Sequence, residues 1–456
     1  MIKDNHRKYI QLRKKHKHIT FESFKCSVNE GELKAEYLFV MGKELSFRPT
    51  FFIPLKKDLH TRIQSDKLEN LIFHIGMVEL ISYWKAACPP EIIIKPFKLD
   101  SHQVQFWKKL YFNGMGEFFY MNGIRTTMDE FVTITSPSQN ELKPLIPLEF
   151  GSDKVLVPVG GGKDSIVTLE LLKTHFRVIP FVVNLLQASL TTIEIAGFPR
   201  NEVFEVQRTI DPLLLDLNSK GYLNGHTPFS ALLAFFSLLA SAMTETKHIA
   251  LSNESSANEP TVAGGANHQY SKSVEFEADF RKYCKKYISD KFNYFSFLRP
   301  LNEYRIASLF SRYPVYFKVF RSCNVGSKEG IWCGQCPKCL FAFIILSPFM
   351  PPEEMQHIFG YNLFTNENLQ KILDELTGIT SVKPFECVGT TDEVNVALQE
   401  AAKYYGDKLP ALLAYYQALK NVSIPAISSH SVRTAFDNHH FLKQPFLDIL
   451  KSALHD

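Results

Sequence analysis

The chain has 456 residues, of which 45% are hydrophobic and 21% charged, so it can bury a core large enough for two or three domains. A formal net charge of +4 gives little reason to expect nucleic acid as a partner, and the basic stretch around Arg13 is typical of a solvated segment. The first residues lack the apolar core of a secretory signal, and no apolar run reaches the roughly 18 residues of a membrane span. Composition therefore predicts a cytoplasmic, globular protein that binds neither nucleic acid nor membranes.

The first third of the chain has the pattern of an α+β domain. Three β-rich segments separated by turn signals predict an antiparallel meander: 19–28, 31–40 and 44–53. The pattern then predicts a helix over 67–87, a strand over 91–96 and a helix over 101–111. A polar, proline-containing run through residue 147 closes this domain, which we place at residues 1–148.

After Gly151, apolar strands alternate with helices. The predicted order is a strand over 154–159, a helix over 164–174, strands over 177–184 and 202–207, a buried helix over 229–244 and a strand over 248–252. Continuous apolar strands of this kind are typical of a parallel sheet covered on both faces. The sequence thus predicts an α/β fold, with a sheet domain over 149–345 and a helical C-terminal region over 346–456.

The first strand of this domain runs into a glycine-rich loop that opens a helix. The loop comprises Gly160, Gly161, Gly162, Lys163, Asp164 and Ser165. Glycines let backbone N–H groups approach phosphate oxygens, and a helix N-terminus carries a partial positive charge. Lys163 can neutralise phosphate charge and Ser165 can donate a hydrogen bond, whereas Asp164 would repel phosphates unless a divalent cation lies between them. The loop therefore predicts a phosphate site with a divalent cation such as Mg²⁺, against the alternative of a glycine turn that only starts a helix.

This loop is not a Walker A motif, because no Gly-Lys-Ser/Thr follows four residues after a first glycine. It resembles the PP-loop, Ser-Gly-Gly-x-Asp-Ser, of the ATP pyrophosphatases, with Gly160 in place of the leading serine. The resemblance implies an adenine-nucleotide α-hydrolase-like sheet domain that splits ATP into AMP and pyrophosphate.

Four of the eight cysteines have the spacing of metal ligands: Cys323, Cys333, Cys336 and Cys339. Two overlapping Cys-x-x-Cys pairs and one further thiolate complete a tetrahedral shell that suits structural zinc, so catalysis by the metal is not expected. An iron–sulfur site and four unmetallated cysteines are the alternatives. The spacing is similar to the zinc site of the deazaguanine nitrile synthetases, which are themselves PP-loop enzymes.

Several strings together resemble the family of ATP-dependent UDP-N-acetylmuramoyl-L-alanyl-L-glutamate epimerases of peptidoglycan synthesis. Besides the glycine loop and the cysteines, they are His74-Ile-Gly-Met-Val-Glu79, Tyr83-Trp84-Lys85, Asn113-Gly-Met-Gly-Glu117, Leu251-Ser-Asn-Glu254, Asn267-His268-Gln269-Tyr270-Ser271-Lys272-Ser273, Tyr294-Phe-Ser-Phe-Leu-Arg299 and Lys383-Pro-Phe-Glu386-Cys387-Val-Gly389-Thr390. The resemblance implies a UDP-muramoyl dipeptide substrate, whose terminal L-glutamate is adenylated at its α-carboxylate, epimerised and released as D-glutamate.

That order of steps is chemically sound. A carboxylate resists α-deprotonation because its enolate would carry a second negative charge, whereas a mixed anhydride delocalises a single charge. An acid and a base on opposite faces of the α-carbon then exchange the proton, each with a pKa near the working pH.

Polar residues within these strings are the catalytic candidates beside Asp164: Glu254, His268, Tyr270, Lys272, Glu386 and Cys387. Glu254 lies where a parallel strand ends, at the ligand-facing edge of such a sheet. For His268 the alternative is a hydrogen-bonded structural histidine, and for Cys387 it is packing.

Three cations are candidates for binding the substrate's phosphates or carboxylate: Lys85, Arg299 and Lys383. Ordinary ion pairs are their alternative role, and Tyr83, Trp84 and Trp107 are expected to pack in a core rather than against uracil. Two other functions stay open. One is a PP-loop nitrile or amide synthetase with an amine acceptor, and the other is a nucleotide-binding protein without turnover. The sequence leaves the oligomeric state undetermined.

Overall fold

A computed structural model describes residues 3–29, 31–55, 68–145, 150–261, 267, 269–423 and 428–455. The strands are β1 (His18–Asn29), β2 (Glu32–Met41), β3 (Leu45–Phe47), β4 (Thr50–Pro54), β5 (Glu91–Ile94), β6 (Thr133–Thr135), β7 (Gly151–Pro158), β8 (Arg177–Val183), β9 (Phe204–Arg208), β10 (Thr246–Leu251) and β11 (Asn293–Ser296).

The helices are α1 (His6–Lys15), α2 (Glu69–Trp84), α3 (Ser101–Gly114), α4 (Gly116–Met121), α5 (Lys163–Lys173), α6 (Gln187–Ile195), α7 (Pro212–Ser219), α8 (Phe229–Thr244), α9 (Val274–Tyr287), α10 (Glu303–Phe310), α11 (Pro337–Leu346), α12 (Pro352–Phe359), α13 (Gln370–Thr377), α14 (Thr391–Ala402), α15 (Ala411–Ser423), α16 (Ser429–Thr434) and α17 (Phe446–Ala453). Among the described residues, no helix combines the length and the apolar character needed to cross a bilayer.

The chain forms two compact units, each assembled from separate stretches. The first unit comprises residues 1–156, 204–249 and 270–293, and the second comprises residues 157–203, 250–269 and 294–456. The domain boundaries after residues 148 and 345 stay predictions, and residue 148 itself lies outside the described part of the chain.

The first unit contains the predicted antiparallel meander. β2 pairs antiparallel with β1, β3 and β4, while β5 pairs parallel with β1 and β6. The predicted third segment is two short strands, β3 and β4, and β4 pairs antiparallel with the distant β9. Pattern alone does not reveal this last pairing, because it joins residues that lie far apart in the chain.

Two helices with apolar residues on all sides fill the core of the first unit. Every residue of α2 after its first is buried, and α8 is buried along most of its length, as expected of helices that contact no solvent. Tyr83, Trp84 and Trp107 are completely buried, so the prediction that they pack in a core is confirmed.

The position of the candidate site is set by two parallel strands and by the segments that follow them. β7 and β10 pair in parallel, as the apolar alternation predicted, and parallel neighbours end at the same edge of a sheet. The glycine loop follows β7 and Glu254 follows β10, so the fold sends both to that edge. In the second unit α5 continues from the loop, and α12 to α17 lie within the predicted helical C-terminal region, while α10 and most of α11 precede it. The α/β class is thus confirmed.

Candidate functional site

The glycine loop requires glycine at one position in particular. Gly161 has φ +80°, and a Cβ there would lie 2.9 Å from backbone atoms of Ala188 and Ser189. Its carbonyl accepts a hydrogen bond of 2.9 Å from the Arg321 backbone N–H. A Cβ added at Gly160 would have no neighbouring atom of the described residues within 4 Å. The serine that a PP-loop has at this position would therefore fit sterically.

Helix α5 begins directly after the loop. Gly162 is the N-cap residue in extended conformation, and it offers no side chain to cap the first turn. The Ser165 hydroxyl donates to the Gly162 carbonyl at 2.9 Å, so its predicted bond to phosphate would require this contact to be exchanged. The amides of the first helical turn remain suited to an anion.

Four charged side chains meet at the start of α5: Lys163, Asp164, Glu254 and Glu303. The Lys163 ammonium forms ion pairs with both Asp164 and Glu303. One oxygen from each of the three carboxylates lies within 4.8 Å of the others. Lys163, Glu254 and Glu303 are buried and Asp164 is half-buried, so this acidic cluster holds its charges largely away from solvent.

Burial and mutual repulsion set the protonation of the acidic cluster. Burial alone would lower the pKa of Lys163, but the attraction of Asp164 and Glu303 raises it above its ordinary value. Burial raises the pKa of Glu303 to about 7, and repulsion from Asp164 and Glu254 acts in the same direction against the attraction of Lys163. When all three carboxyl groups are ionised, one ammonium faces three carboxylates and the group carries two negative charges in excess.

This excess of charge fits a divalent cation. Oxygen ligands at this spacing are what Mg²⁺ takes, commonly one or two carboxylates together with substrate phosphates. Asp164, Glu254 and Glu303 would hold the ion beside the glycine loop. The Mg²⁺ predicted from Asp164 alone stays a prediction, supported by two further carboxylates.

Cation binding should depend on pH through Glu303. The pKa of Glu303 is higher in the folded, metal-free protein than in the unfolded chain. Its protonated carboxyl therefore contributes stability that is fully present below the unfolded-state pKa and is lost as pH rises through about 7. A cation binds the ionised form, so affinity for Mn²⁺ as a paramagnetic substitute for Mg²⁺ should rise about tenfold from pH 6 to pH 8. Glu303→Gln should bind more weakly and show little pH dependence in this range. Equal pH profiles in both proteins would contradict this role.

Glu393 supports the acidic cluster from the C-terminal helices. Its buried carboxylate accepts hydrogen bonds from the Ser256 hydroxyl at 2.9 Å and from the backbone N–H groups of Glu303 and Thr390. A Cβ at Gly389 would lie 2.7 Å from this carboxylate, so the close approach requires glycine. One side chain thus joins the segment after Glu254, the start of α10 and the start of α14.

Glu393→Gln should disturb the cluster without touching its ligands. An amide replaces one acceptor oxygen with a donor, so at least one backbone N–H loses its partner, at a cost of about 2 kcal/mol in unfolding free energy. Mn²⁺ affinity should fall as well, because Glu254 and Glu303 are held less firmly. Calorimetry on this variant and on the control Glu353→Gln, an exposed glutamate of α12, measures both effects. Lower stability with unchanged Mn²⁺ affinity would indicate a purely structural residue.

The four predicted metal-ligating cysteines come together in the second unit. The Sγ–Sγ distances are 3.8 Å for Cys323–Cys336, 3.8 Å for Cys333–Cys339 and 3.5 Å for Cys336–Cys339. Thiolates around one Zn²⁺ with bonds of about 2.3 Å would lie about 3.8 Å apart on a tetrahedron. All four sulfurs lie within 4.8 Å of one another, which leaves room for one ion rather than a multi-iron cluster.

Removal of one ligand tests the zinc proposal. Cys336→Ser should lower zinc content and melting temperature together, since structural zinc contributes on the order of 10 kcal/mol. The matched control is Cys26→Ser, which lies outside the cluster. Elemental analysis that finds no zinc in the wild type would refute the assignment. One iron ion per chain would show that the four cysteines hold iron instead.

Other predicted residues of the second unit have different surroundings. Arg299 is completely buried and donates to the Glu254 carbonyl at 2.5 Å, a position suited to holding Glu254. Lys383 forms an ion pair with Glu259. Glu386 accepts a hydrogen bond from the Asn324 amide, and the Cys387 carbonyl accepts one from the Lys338 ammonium. These two predicted residues therefore contact the part of the chain that carries the four cysteines.

Three predicted residues belong to the first unit. Tyr270 is buried, and burial raises its pKa to about 12, while Lys272 is half-buried in the same short turn. Lys85 donates to the Gly225 carbonyl at 2.6 Å, and burial lowers the pKa of its ammonium to about 8. His268 lies outside the described residues. The roles assigned to these residues stay predictions.

Sequence reasoning missed two members of the site, Glu303 and Glu393. Both occupy helix starts with a visible sequence signal, because Asn302 caps α10 and Thr390 with Glu393 forms a capping box at α14. That signal marks a helix start and does not reveal that Glu303 approaches Glu254 or that Glu393 bonds to Ser256 and to the start of α10.

Comparison with known proteins identifies the family. The profile described as the MurL N-terminal domain matches residues 11–297, and the MurL C-terminal domain matches residues 319–421. The chain belongs to the MurL family. Proteins named UDP-N-acetyl-alpha-D-muramoyl-L-alanyl-L-glutamate epimerase are similar to it.

Three such relatives cover most of this MurL-family chain. The Micromonospora protein is 31% identical over 92% of the chain and 95% of its own length. The Salinispora tropica protein is 31% identical over 91% of the chain and 92% of its own length. The Xanthomonas oryzae pv. oryzae protein is 32% identical over 84% of the chain and 86% of its own length. No solved structure matches the chain.

Proposed function

We propose that this protein converts the terminal L-glutamate of UDP-N-acetylmuramoyl-L-alanyl-L-glutamate to D-glutamate in peptidoglycan precursor synthesis, through an acyl-adenylate made from ATP. Membership of the MurL family and relatives named for this epimerisation support the isomerase activity. The competing nitrile or amide synthetase is not favoured, because the similar proteins carry the epimerase name over nearly their full length.

One observation carries the adenylation step: three carboxylates converge at the helix start that follows the glycine loop, where Lys163 pairs with two of them. The loop amides and Lys163 bind and orient the triphosphate. Mg²⁺, when bound, would neutralise phosphate charge and favour departure of pyrophosphate. The negative charge of Glu254 and Glu303 favours binding of a cation between them and disfavours binding of the substrate carboxylate at the same point. The PP-loop type of fold remains part of this proposal.

Activation then makes proton exchange feasible. The acyl-adenylate lets the α-proton leave with only one developing charge on the carbonyl oxygen, and return of a proton to the opposite face inverts the centre. The acid and the base stay predictions among Glu254, His268, Tyr270, Lys272, Glu386 and Cys387. Water hydrolyses the inverted acyl-adenylate and releases AMP. Cytoplasmic localisation likewise stays a prediction.

A product assay tests the proposal. The purified protein is incubated with UDP-N-acetylmuramoyl-L-alanyl-L-glutamate, ATP and Mg²⁺, and glutamate enantiomers are resolved after acid hydrolysis while AMP and pyrophosphate are measured. We expect D-glutamate with AMP and pyrophosphate from the wild type. Asp164→Asn should fold and lose product formation at least about a hundredfold, as expected when a charge stabiliser is removed.

The matched control is Asp216→Asn, which breaks only an exposed ion pair with Lys220 and should leave the rate unchanged. D-Glutamate formed without ATP would refute the adenylation step and leave the epimerisation standing. No D-glutamate, with AMP released on another acid, would refute the epimerase function. Nucleotide binding with no pyrophosphate release on any acid would indicate a protein without turnover.

A further inference from the structure

A polar cavity lies along α10, the helix that begins with Glu303. Its volume is about 390 Å³, within the usual size of small-ligand pockets. The polar side chains in its lining are Tyr304, Arg305, Ser308, Arg312, Glu400 and Arg433. Three guanidinium groups in one cavity are unusual for a mere packing defect, and we call this cavity the arginine pocket.

Two of the arginines have structural bonds that use only part of their donor capacity. Arg305 donates through one nitrogen to the carbonyl of Ala435 at 2.9 Å, at the end of α16. Arg312 donates through one nitrogen to the carbonyl of Ala453 at 2.8 Å, at the end of α17. A guanidinium has five N–H donors, so these bonds fix the two side chains and leave donors for a ligand.

The carboxylate in the lining does not cancel the positive charge. Glu400 forms ion pairs with Lys403 at 2.6 Å and with Arg433 at 2.7 Å. Lys403 and three arginines therefore face a single carboxylate, and the excess is positive. Tyr304 and Ser308 add hydroxyl donors, and burial raises the pKa of Tyr304, so its hydroxyl stays protonated. Such a set suits an anion with several oxygens, above all a phosphate or diphosphate.

The position of the pocket along α10 fits the size of the substrate in the proposed function. From Glu303 to Phe310 the helix advances seven residues, or about 10 Å at helical rise, and Arg312 follows two residues later. In the substrate, an extended alanyl-glutamate spans about 7 Å, and the lactyl group and sugar ring separate it further from the diphosphate. A diphosphate in the arginine pocket and a carboxylate beside the acidic cluster are thus separated by a distance that one substrate can span.

We propose that the arginine pocket binds the diphosphate of the UDP-linked substrate, with Arg312 and Arg433 as its main contacts. This inference rests on the proposed function and deepens it, because it identifies the part of the second unit that distinguishes a UDP-linked glutamate from a free one. Arg312 and Arg433 are the exposed arginines of the pocket, and therefore the ones that a ligand entering from solvent meets first.

A groove in the first unit is the rival for this ligand. It lies between α3 and α9, has a volume of about 490 Å³ and is lined by Phe106, Tyr283, Lys282 and Lys286 among others. Its aromatic rings could stack on uracil. Its charge is less favourable, because Lys109 pairs with Glu275 and Asp279 and Lys286 lies 3.7 Å from Asp100.

The test combines kinetics with binding of UDP alone. In Arg312→Gln/Arg433→Gln, KM for the UDP-linked substrate and Kd for UDP should both rise at least about tenfold, as expected when charge-assisted hydrogen bonds are lost. The kcat value and the Kd for ATP should change less than about threefold, because the acidic cluster is untouched. Arg433→Gln alone leaves the bond from Arg312 to α17 intact and should show the same trend if the double variant folds poorly. Arg177→Gln, an exposed arginine of β8, is the matched control.

The outcomes separate this inference from the proposed function. Turnover by the wild type with unchanged KM and UDP affinity in the arginine variants would overturn the inference and leave the function standing. Loss of UDP binding in Lys282→Gln/Lys286→Gln, with normal binding in the arginine variants, would overturn it in favour of the groove. A wild type that binds UDP through the arginines but makes no D-glutamate would support the pocket and refute the function.

Discussion

The arrangement of the second unit depends on the charges buried around Lys163. An ion removed from water costs several kcal/mol unless partners compensate, so buried charges occur in pairs or around metals. Here the ammonium at the start of α5 is compensated by Asp164 and by Glu303 at the start of α10, with Glu254 close by after β10. Two helix starts and a strand end must therefore meet, and the glycine loop is held where they do.

Two sets of contacts from the C-terminal half of the chain support the site around Lys163. Glu393 joins the segments of Glu254 and Glu303 to α14 through hydrogen bonds from Ser256 and two backbone amides. The cysteine cluster acts on the loop itself, since Cys323 follows two residues after Arg321, whose backbone N–H bonds to Gly161. A metal that fixes Cys323 would thus fix the loop indirectly. The structural zinc predicted at these cysteines would then have a role at a distance from the chemistry.

Local patterns predicted what local physics determines. The apolar periodicity located α2, α5 and α8 within a few residues, and the glycine loop and the four cysteines were visible as motifs. The strand pairing β4–β9, the two discontinuous units and the contribution of Glu303 were not predictable in this way. Each depends on contacts between distant residues, and a buried Glu303 resembles any acidic residue at the first turn of a helix. Arg299 was predicted to bind the substrate and this role stays a prediction, but its complete burial and its bond to the Glu254 carbonyl could not be read from the sequence.

The arginine pocket gives the UDP group of the proposed substrate an energetic role. Binding energy from a part of the substrate that does not react lowers KM when it acts equally in the ground state and in the transition state. Arg305 lies on α10 together with Glu303, and Arg312 follows the end of this helix by two residues, so α10 sets much of the spacing between a bound diphosphate and the acidic cluster. Free glutamate offers nothing to the far end of α10. It would therefore gain none of this binding energy, and selectivity for the UDP-linked peptide would appear as a lower KM.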